Sequence, residues 1–230
     1  MPTSLQLVLS NPTPGHEDEF NRWYGSDHLP HVLRTSGVHA GQRFRRVAGP
    51  WPSGKHDYLM IWEMDNPAHA LAELERVKYS ESMPISAAID MGGIQPPTMW
   101  RRAFIYSAAR IATETSQRKT LVFALTNAIV GREQEFETAL LGGYLALLAD
   151  LPGVLSAELL TLANEQIRGN ARKFRFGLLI ELMDEKRALN ALASPMACIP
   201  HLDPERWLAA VFRPIGDRVT AAEVRAMEGV

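Results

Sequence analysis

The sequence predicts an α+β protein of two tandem β-α-β-β-α-β units, packed sheet to sheet so that one chain closes its own α/β barrel. Internal repetition is the first observation behind this. LQLVLSNPTPGHEDEFNRW from Leu5 aligns with LVFALTNAIVGREQEFETA from Leu121. Asn11 then meets Asn127, Gly15 meets Gly131, Glu17 meets Glu133, and Glu19-Phe20 meets Glu135-Phe136. Gly37-Val38 meets Gly153-Val154 in the same register, and with a shift of two IWEM (61–64) matches LIEL (179–182). A colinear series of this kind marks a repeated unit. The second observation is that both halves read as the same order of strand and helix periodicities. The third is a matter of layers. Two four-stranded sheets, each covered by helices on one face, leave two bare apolar faces that can cover each other.

The elements follow in order. Residues 4–10 run apolar and extended, as a strand does. Asn11-Pro12-x-Pro14-Gly15 turns the chain, and Phe20, Trp23 and Tyr24 then keep the spacing of a helix's buried stripe. A strand over 38–47, a connection at 50–56 and a strand over 57–64 form a hairpin. Asn66-Pro67 opens a helix with proline at its first position, carrying Ala70, Leu71, Leu74 and Val77 and ending near Tyr79. A strand around 99–107 closes the unit, which is the ferredoxin-like split arrangement. The second half repeats it with strand 119–127, helix 131–150, strands 154–163 and 173–182, helix 184–193 and strand 207–213. Thr220 and Glu223 form a capping box for a last helix over 220–228. Two domains are therefore expected, 1–110 with the site and 118–230 as scaffold, joined by the polar stretch 108–117.

Composition narrows the classes of function. The chain has 230 residues, 46% hydrophobic and 22% charged, with a formal net charge of −2. That is an ordinary globular balance with no basic footprint for nucleic acid. RFRR (43–46) and RKFR (172–175) are short, and each decorates a strand and its loop. Cys198 is the only cysteine, so neither a disulfide framework nor a cysteine metal cluster is expected, which fits a reducing cytoplasm. The N-terminal apolar run is too short for a signal peptide, and no run is long enough for a membrane span. There is no phosphate-binding glycine loop, no HExxH and no GxSxG.

Asn-Pro-x-x-Gly-x-Glu-x-Glu-Phe-x-x-Trp-Tyr (11–24), His28-Leu29-Pro30, Ser36-Gly37-Val38 and Gln42-Arg43-Phe44 resemble the dimeric α/β-barrel superfamily, in its EthD-like branch. The resemblance implies a pocket for a small, apolar, aromatic or polyketide-like molecule. It places the chain beside muconolactone-type isomerases, polyketide cyclases, aldoxime dehydratases, haem-degrading monooxygenases and chlorite-dismutase-like proteins. The second half lacks the motif: Gly143-Tyr144-Leu145-Ala146 stands where Asp27-His28-Leu29-Pro30 does. One working site per chain is the expectation.

RWYGSDHLPHVL (22–33) carries that site. Gly25 breaks the helix, Asp27 caps its restart, and Pro30 then falls in a first turn whose amides need no partner. The new helix end lowers the pKa of His28, leaving a neutral imidazole as general base. Tyr24 donates to a developing oxyanion, and Asp27 orients and pairs with His31. Trp23, His31, Tyr58 and Trp62 line the substrate pocket, and Arg43 holds an anionic substrate group or stands as a solvated strand charge. Glu63 and Glu181 interrupt apolar strands at matching places and are expected to face solvent. Trp51 and Trp100 line or fill the core. The expected function is cofactor-independent lyase, dehydratase, isomerase or cyclase chemistry. The alternatives are a non-catalytic ligand-binding or assembly protein, and a haem-dependent oxygenase or dehydratase with His201 or His69 as axial ligand. A homodimer of whole chains is the alternative assembly.

Overall fold

A computed structural model describes residues 3–51, 55–78, 83–107, 118–167, 173–227 and 229. The expected joining segment 108–117, the tip of the connection at 52–54 and the helix end at Tyr79 lie outside the described residues.

The first half runs β1 (Ser4–Ser10), α1 (Glu17–Trp23), a π turn (Tyr24–His28), α2 (Leu29–Leu33), β2 (Val38–Val47), β3 (Tyr58–Met64), α3 (Pro67–Val77) and β4 (Thr98–Tyr106). The second runs β5 (Leu121–Ala128), α4 (Glu133–Ala139), a π turn (Leu140–Tyr144), α5 (Leu145–Ala149), β6 (Val154–Leu162), β7 (Phe176–Leu182), α6 (Glu185–Ala197) and β8 (Leu202–Pro214). A two-residue β9 (Val219–Thr220) and α7 (Ala221–Met227) end the chain. The expected Thr220–Glu223 capping box is present, and Asn66 caps α3. Asn66 accepts from the His69 amide at 3.1 Å, and Thr220 and Glu223 bond each other's backbone amides at 3.1 and 2.7 Å.

Each half orders its strands identically, β2-β3-β1-β4 and β6-β7-β5-β8. All the pairings are antiparallel, and the two sheets join along both edges, β4 to β6 and β8 to β2. The ring closes as a single eight-stranded barrel. Closure leaves the eight strands without a free edge, which removes the usual liability of open sheets. β3, β5 and β7 are buried along their whole length, because the lumen lies on one side of them and helices on the other.

The period-two alternation of strands sorts three cores. Leu5, Leu7 and Leu9 point into the lumen with Phe44, Ile61, Met99, Phe123, Leu160, Leu179 and Phe212, so that all eight strands contribute to one packed interior. The outer faces form two helix-covered cores, one per half. Trp51 joins the second half's core, whereas Trp100 is 37% exposed, against expectation. The bulge between Arg101 and Ala103 turns the rest of β4 toward the second half, and Ala103 and Ile105 pack there.

Glu63 and Glu181 correct a second expectation. The same alternation that aims Leu59, Ile61 and Leu179 inward carries both carboxylates into one end of the lumen, where they are 8% exposed. Arg218 grips Glu63 with two bonds of 3.0 and 2.7 Å. Arg118 reaches Glu158 at 3.3 Å and Glu181 at 3.9 Å, and Arg101 reaches Glu158 at 2.6 Å. Burial on its own would raise the pKa of Glu63. The Arg218 bonds outweigh it, helped by Arg118 and Arg101, and hold the carboxyl below its ordinary value. Sequence periodicity on one strand does not reveal which face is the enclosed one when both are buried.

Candidate active site between the first sheet and its helices

The expected helix break does not occur in the first half. Trp23, Tyr24, His28 and Leu29 all keep right-handed helical angles. The Leu29 amide bonds the Tyr24 carbonyl, five residues back. That widened turn accommodates Pro30, which lacks an amide and crowds the preceding turn. Asp27 is consequently exposed on a continuous helix and caps nothing. The second half has the same π turn at the equivalent place, and there Gly143 does leave helical geometry, at φ +139°.

The π turn swings two residues onto one apolar cavity. Tyr24 is 2% exposed, and His28 stacks on Trp23 with ring centroids 4.6 Å apart. Tyr24 meets the His28 ring edge-on at 4.9 Å, and Trp62 meets it at 6.3 Å. Trp62 lies across Gly41, its partner on β2, where there is no room for a Cβ. Trp23 is tied by its indole N–H to the Pro84 carbonyl at 3.2 Å. The cavity holds about 740 Å³ of empty space, its open mouth included.

Its outer wall comes from a segment that sequence reading passed over. Residues 83–97 run beside β1, with Leu7 and Leu9 amides bonding the Pro97 and Gln95 carbonyls at 2.9 and 3.0 Å. Asp90 accepts the Gly92 and Gly93 amides and folds the segment back. Met83, Ile89 and Ile94 thereby face Trp62 and His28 across the cavity. Apolar residues at 83, 85, 89, 91 and 94 were the available signal, obscured by having no helix or strand period. Between α6 and β8 the second half has only residues 198–201 at this point of its order. Gln6 and Lys78 also line the cavity, and neither was singled out from sequence.

Electrostatics divide the residues further. The His28 Nδ1 is buried without a hydrogen-bond partner. Burial pushes the ring's pKa down to about 3, aided by His31 and Arg43, so it is neutral at pH 7. Neutrality was expected, but from a helix terminus; its cause is desolvation. Burial also pushes the Tyr24 hydroxyl up, despite the opposing Arg43 charge, which keeps it protonated and able to donate. Arg43 lies under Tyr24, its guanidinium 4.3 Å from the ring centroid, and bonds Asn21 Oδ1 at 2.9 Å. It stands neither in the cavity wall nor free in solvent. Tyr58 is likewise outside the wall, its hydroxyl donating to Glu17 and accepting from Asn21. His31 lines a separate, polar depression with Arg34, Ser36 and Glu73. Of the expected site, the structure brings together Trp23, Tyr24, His28 and Trp62.

The unfolded imidazole titrates near 6.5, so between about pH 6.5 and 3 the unfolded chain takes up the proton first. The stability this group contributes is complete above that window and is lost as pH falls through it. His28→Phe is expected to flatten the dependence of melting temperature on pH between roughly 6.5 and 4. An unaltered slope in thermal melts would place the titrating group elsewhere.

These features define a ferredoxin-like α/β-barrel fold closed within one chain. No family model and no curated protein sequence matches the chain. Among solved structures, an anthrone oxidase-like protein superposes with a TM-score of 0.70 at 13% identity, covering 97% of this chain and 94% of that one. A Fusobacterium nucleatum protein provisionally assigned as a monooxygenase gives 0.59 at 13%, covering 94% of each. A chlorite dismutase variant from Candidatus Nitrospira defluvii gives 0.56 at 10%, covering 98% and 94%. No helix among the described residues is long and apolar enough to cross a membrane.

Proposed function

We propose that the cavity takes a planar, apolar, aromatic molecule and that His28 removes a proton from it. The observation that carries this reading is the imidazole's placement: a neutral, half-buried ring in the wall of a largely apolar cavity, its Nδ1 without a partner and the Tyr24 ring edge-on to it at 4.9 Å. A neutral imidazole keeps a lone pair on one ring nitrogen, and that lone pair can take a substrate proton. Tyr24, held protonated, donates to the oxygen on which charge develops. The dry wall strengthens both interactions. Asp27 has no part in this, being exposed.

Proton removal is common to isomerase, dehydratase, lyase and cyclase outcomes. The likeness to an anthrone oxidase-like protein favours one more. A carbanion formed from an anthrone-type ketone can react with dioxygen, and anthrone plus dioxygen gives anthraquinone plus water. Anthrone is therefore the test molecule. In deuterated buffer without oxygen, the protein should accelerate deuterium uptake at the methylene carbon, read by mass spectrometry. Admitting oxygen then distinguishes oxidation, by quinone appearance, from proton transfer alone. No acceleration of exchange would end the acid–base reading and leave ligand binding without chemistry.

Haem is the other reading that the family resemblance brings, and the described residues do not fit it. His69 bonds Ser36 at 2.9 Å on the surface, and His201 sits in a turn at φ +61°. Neither lines the cavity. His28 does, but among the described residues the cavity's one cation, Lys78, bonds Glu75 at 2.8 Å, which leaves two propionates little counter-charge there. Haemin added to the purified protein should give no sharp Soret band; a stoichiometric band that His28→Ala abolishes would reverse this conclusion.

A further inference from the structure

We propose that Gln6 selects the ligand, its carboxamide hydrogen-bonding a phenol or aryl-ketone oxygen on an otherwise apolar planar molecule. The inference rests on the acid–base reading above and deepens it by naming the ligand's polar group. Gln6 lies in the middle of β1 and is 4% exposed. Its side chain belongs to the cavity wall beside Val8, Trp62, Ile94 and Pro96. Among the described residues its carboxamide has no hydrogen-bond partner. A glutamine amide offers two donors and an acceptor, and here they open onto the cavity with no protein group to meet them. Polar atoms presented to a largely apolar cavity in this way point to a partner that arrives with the ligand.

The chain contains its own control. Gln6 pairs across to Trp62 on one side and Thr98 on the other. Val122 holds the same place in the second half, between Ile180 and Val211. It is fully buried in a filled core with Phe136 and Leu140. Tyr144, at the place of His28, turns to donate to the Pro195 carbonyl at 2.8 Å. The architecture therefore accepts a valine where Gln6 stands. The glutamine occurs only in the half that also carries His28 and a cavity.

Geometry narrows the ligand class. Trp62 neighbours Gln6 by strand register and His28 by ring contact at 6.3 Å. A flat molecule lying along this indole meets the carboxamide and the imidazole together. An amide serves a hydroxyl or carbonyl oxygen equally, whereas the surrounding Ile89, Ile94 and Met83 disfavour a charged group. The class is thus a neutral phenol or aryl ketone, not a carboxylate.

Equilibrium dialysis of 1-naphthol against 1-methylnaphthalene tests this, since the two differ by a hydroxyl in place of a methyl. The wild-type chain should bind 1-naphthol about tenfold or more tightly than its methyl counterpart. In Gln6→Leu the ratio should fall below about threefold, with 1-methylnaphthalene held at least as well. Gln6→Val, using the second half's own residue, gives the same reading should leucine disturb the strand. In His28→Ala part of the preference should persist. Equal affinities in the wild type, or a preference that survives both Gln6 variants and disappears in His28→Ala, would overturn the assignment while leaving the acid–base site standing on anthrone exchange. Failure of both naphthalenes to bind would remove the aromatic pocket and this inference together.

Discussion

Replacing His28 by alanine is expected to slow deuterium uptake by anthrone by about 10²–10⁴-fold, the usual contribution of a positioned acid–base group. The substitution takes away the ring whose Nδ1 is buried without a partner. It also leaves the Trp23 ring without its 4.6 Å stacking partner, so the loss includes positioning as well as chemistry. Two measurements separate catalysis from folding. Circular dichroism should be unchanged, because the flanking helical turns are held by Phe20, Leu29 and Leu33 in the sheet–helix core. Free imidazole added to the buffer should restore part of the rate by entering the space vacated. Because the ring is already neutral well below pH 7, the wild-type rate should show no decline on passing downward through about 6.5. Exchange that persists at the wild-type rate in His28→Ala would move the proton acceptor elsewhere in the wall.

The largest effect on stability should come from the charged cluster at one end of the lumen. Glu158 is fully buried and sits between Arg101 at 2.6 Å and Arg118 at 3.3 Å. Glu158→Ala takes from both guanidinium groups the carboxylate nearest to them, leaving Arg118 the longer 3.9 Å approach to Glu181. Breaking a buried pair in this way costs about 3–5 kcal/mol, readable as a lowered urea midpoint. Replacing acid and bases together by apolar residues of similar size should cost far less. Acid weakens the same region through Glu63. Its folded pKa lies below the ordinary carboxylate value, so its contribution is complete above that value and fades as pH falls through the folded one. A loss under about 1 kcal/mol for Glu158→Ala would mean that water screens the cluster as it does surface pairs.

Much of the architecture was legible in the sequence because each local signal agreed with the fold. The strand bounds 38–47, the helix opening at Asn66-Pro67 and the Thr220–Glu223 box all appear as the residue pattern implies. The recurrence of Phe20 at Phe136 places two buried rings at equivalent helix positions. Other features depend on tertiary context. Gly25 and Pro30 read locally as a broken helix, yet an i→i+5 bond absorbs both. Glu63 reads as a polar face until the lumen supplies Arg218 from the other end of the chain. Arg43 reads as an anion holder until Tyr24, Phe20 and Tyr58 gather around its guanidinium. The wall over 83–97 has no period to detect, since it is held by backbone bonds to β1. Gln6 is a single polar residue in an apolar strand, and only its place beside a cavity gives it meaning.

The sealed ring of strands has a consequence for how the molecule meets its own kind. With β4 joined to β6 and β2 to β8, every barrel strand is already spoken for on both flanks. A visiting peptide finds no vacant ladder there to extend, which argues for low fibril propensity from the folded state. Self-association must then use side chains on helices and loops, with contacts that salt or a single surface exchange can tune, leaving the staves themselves untouched.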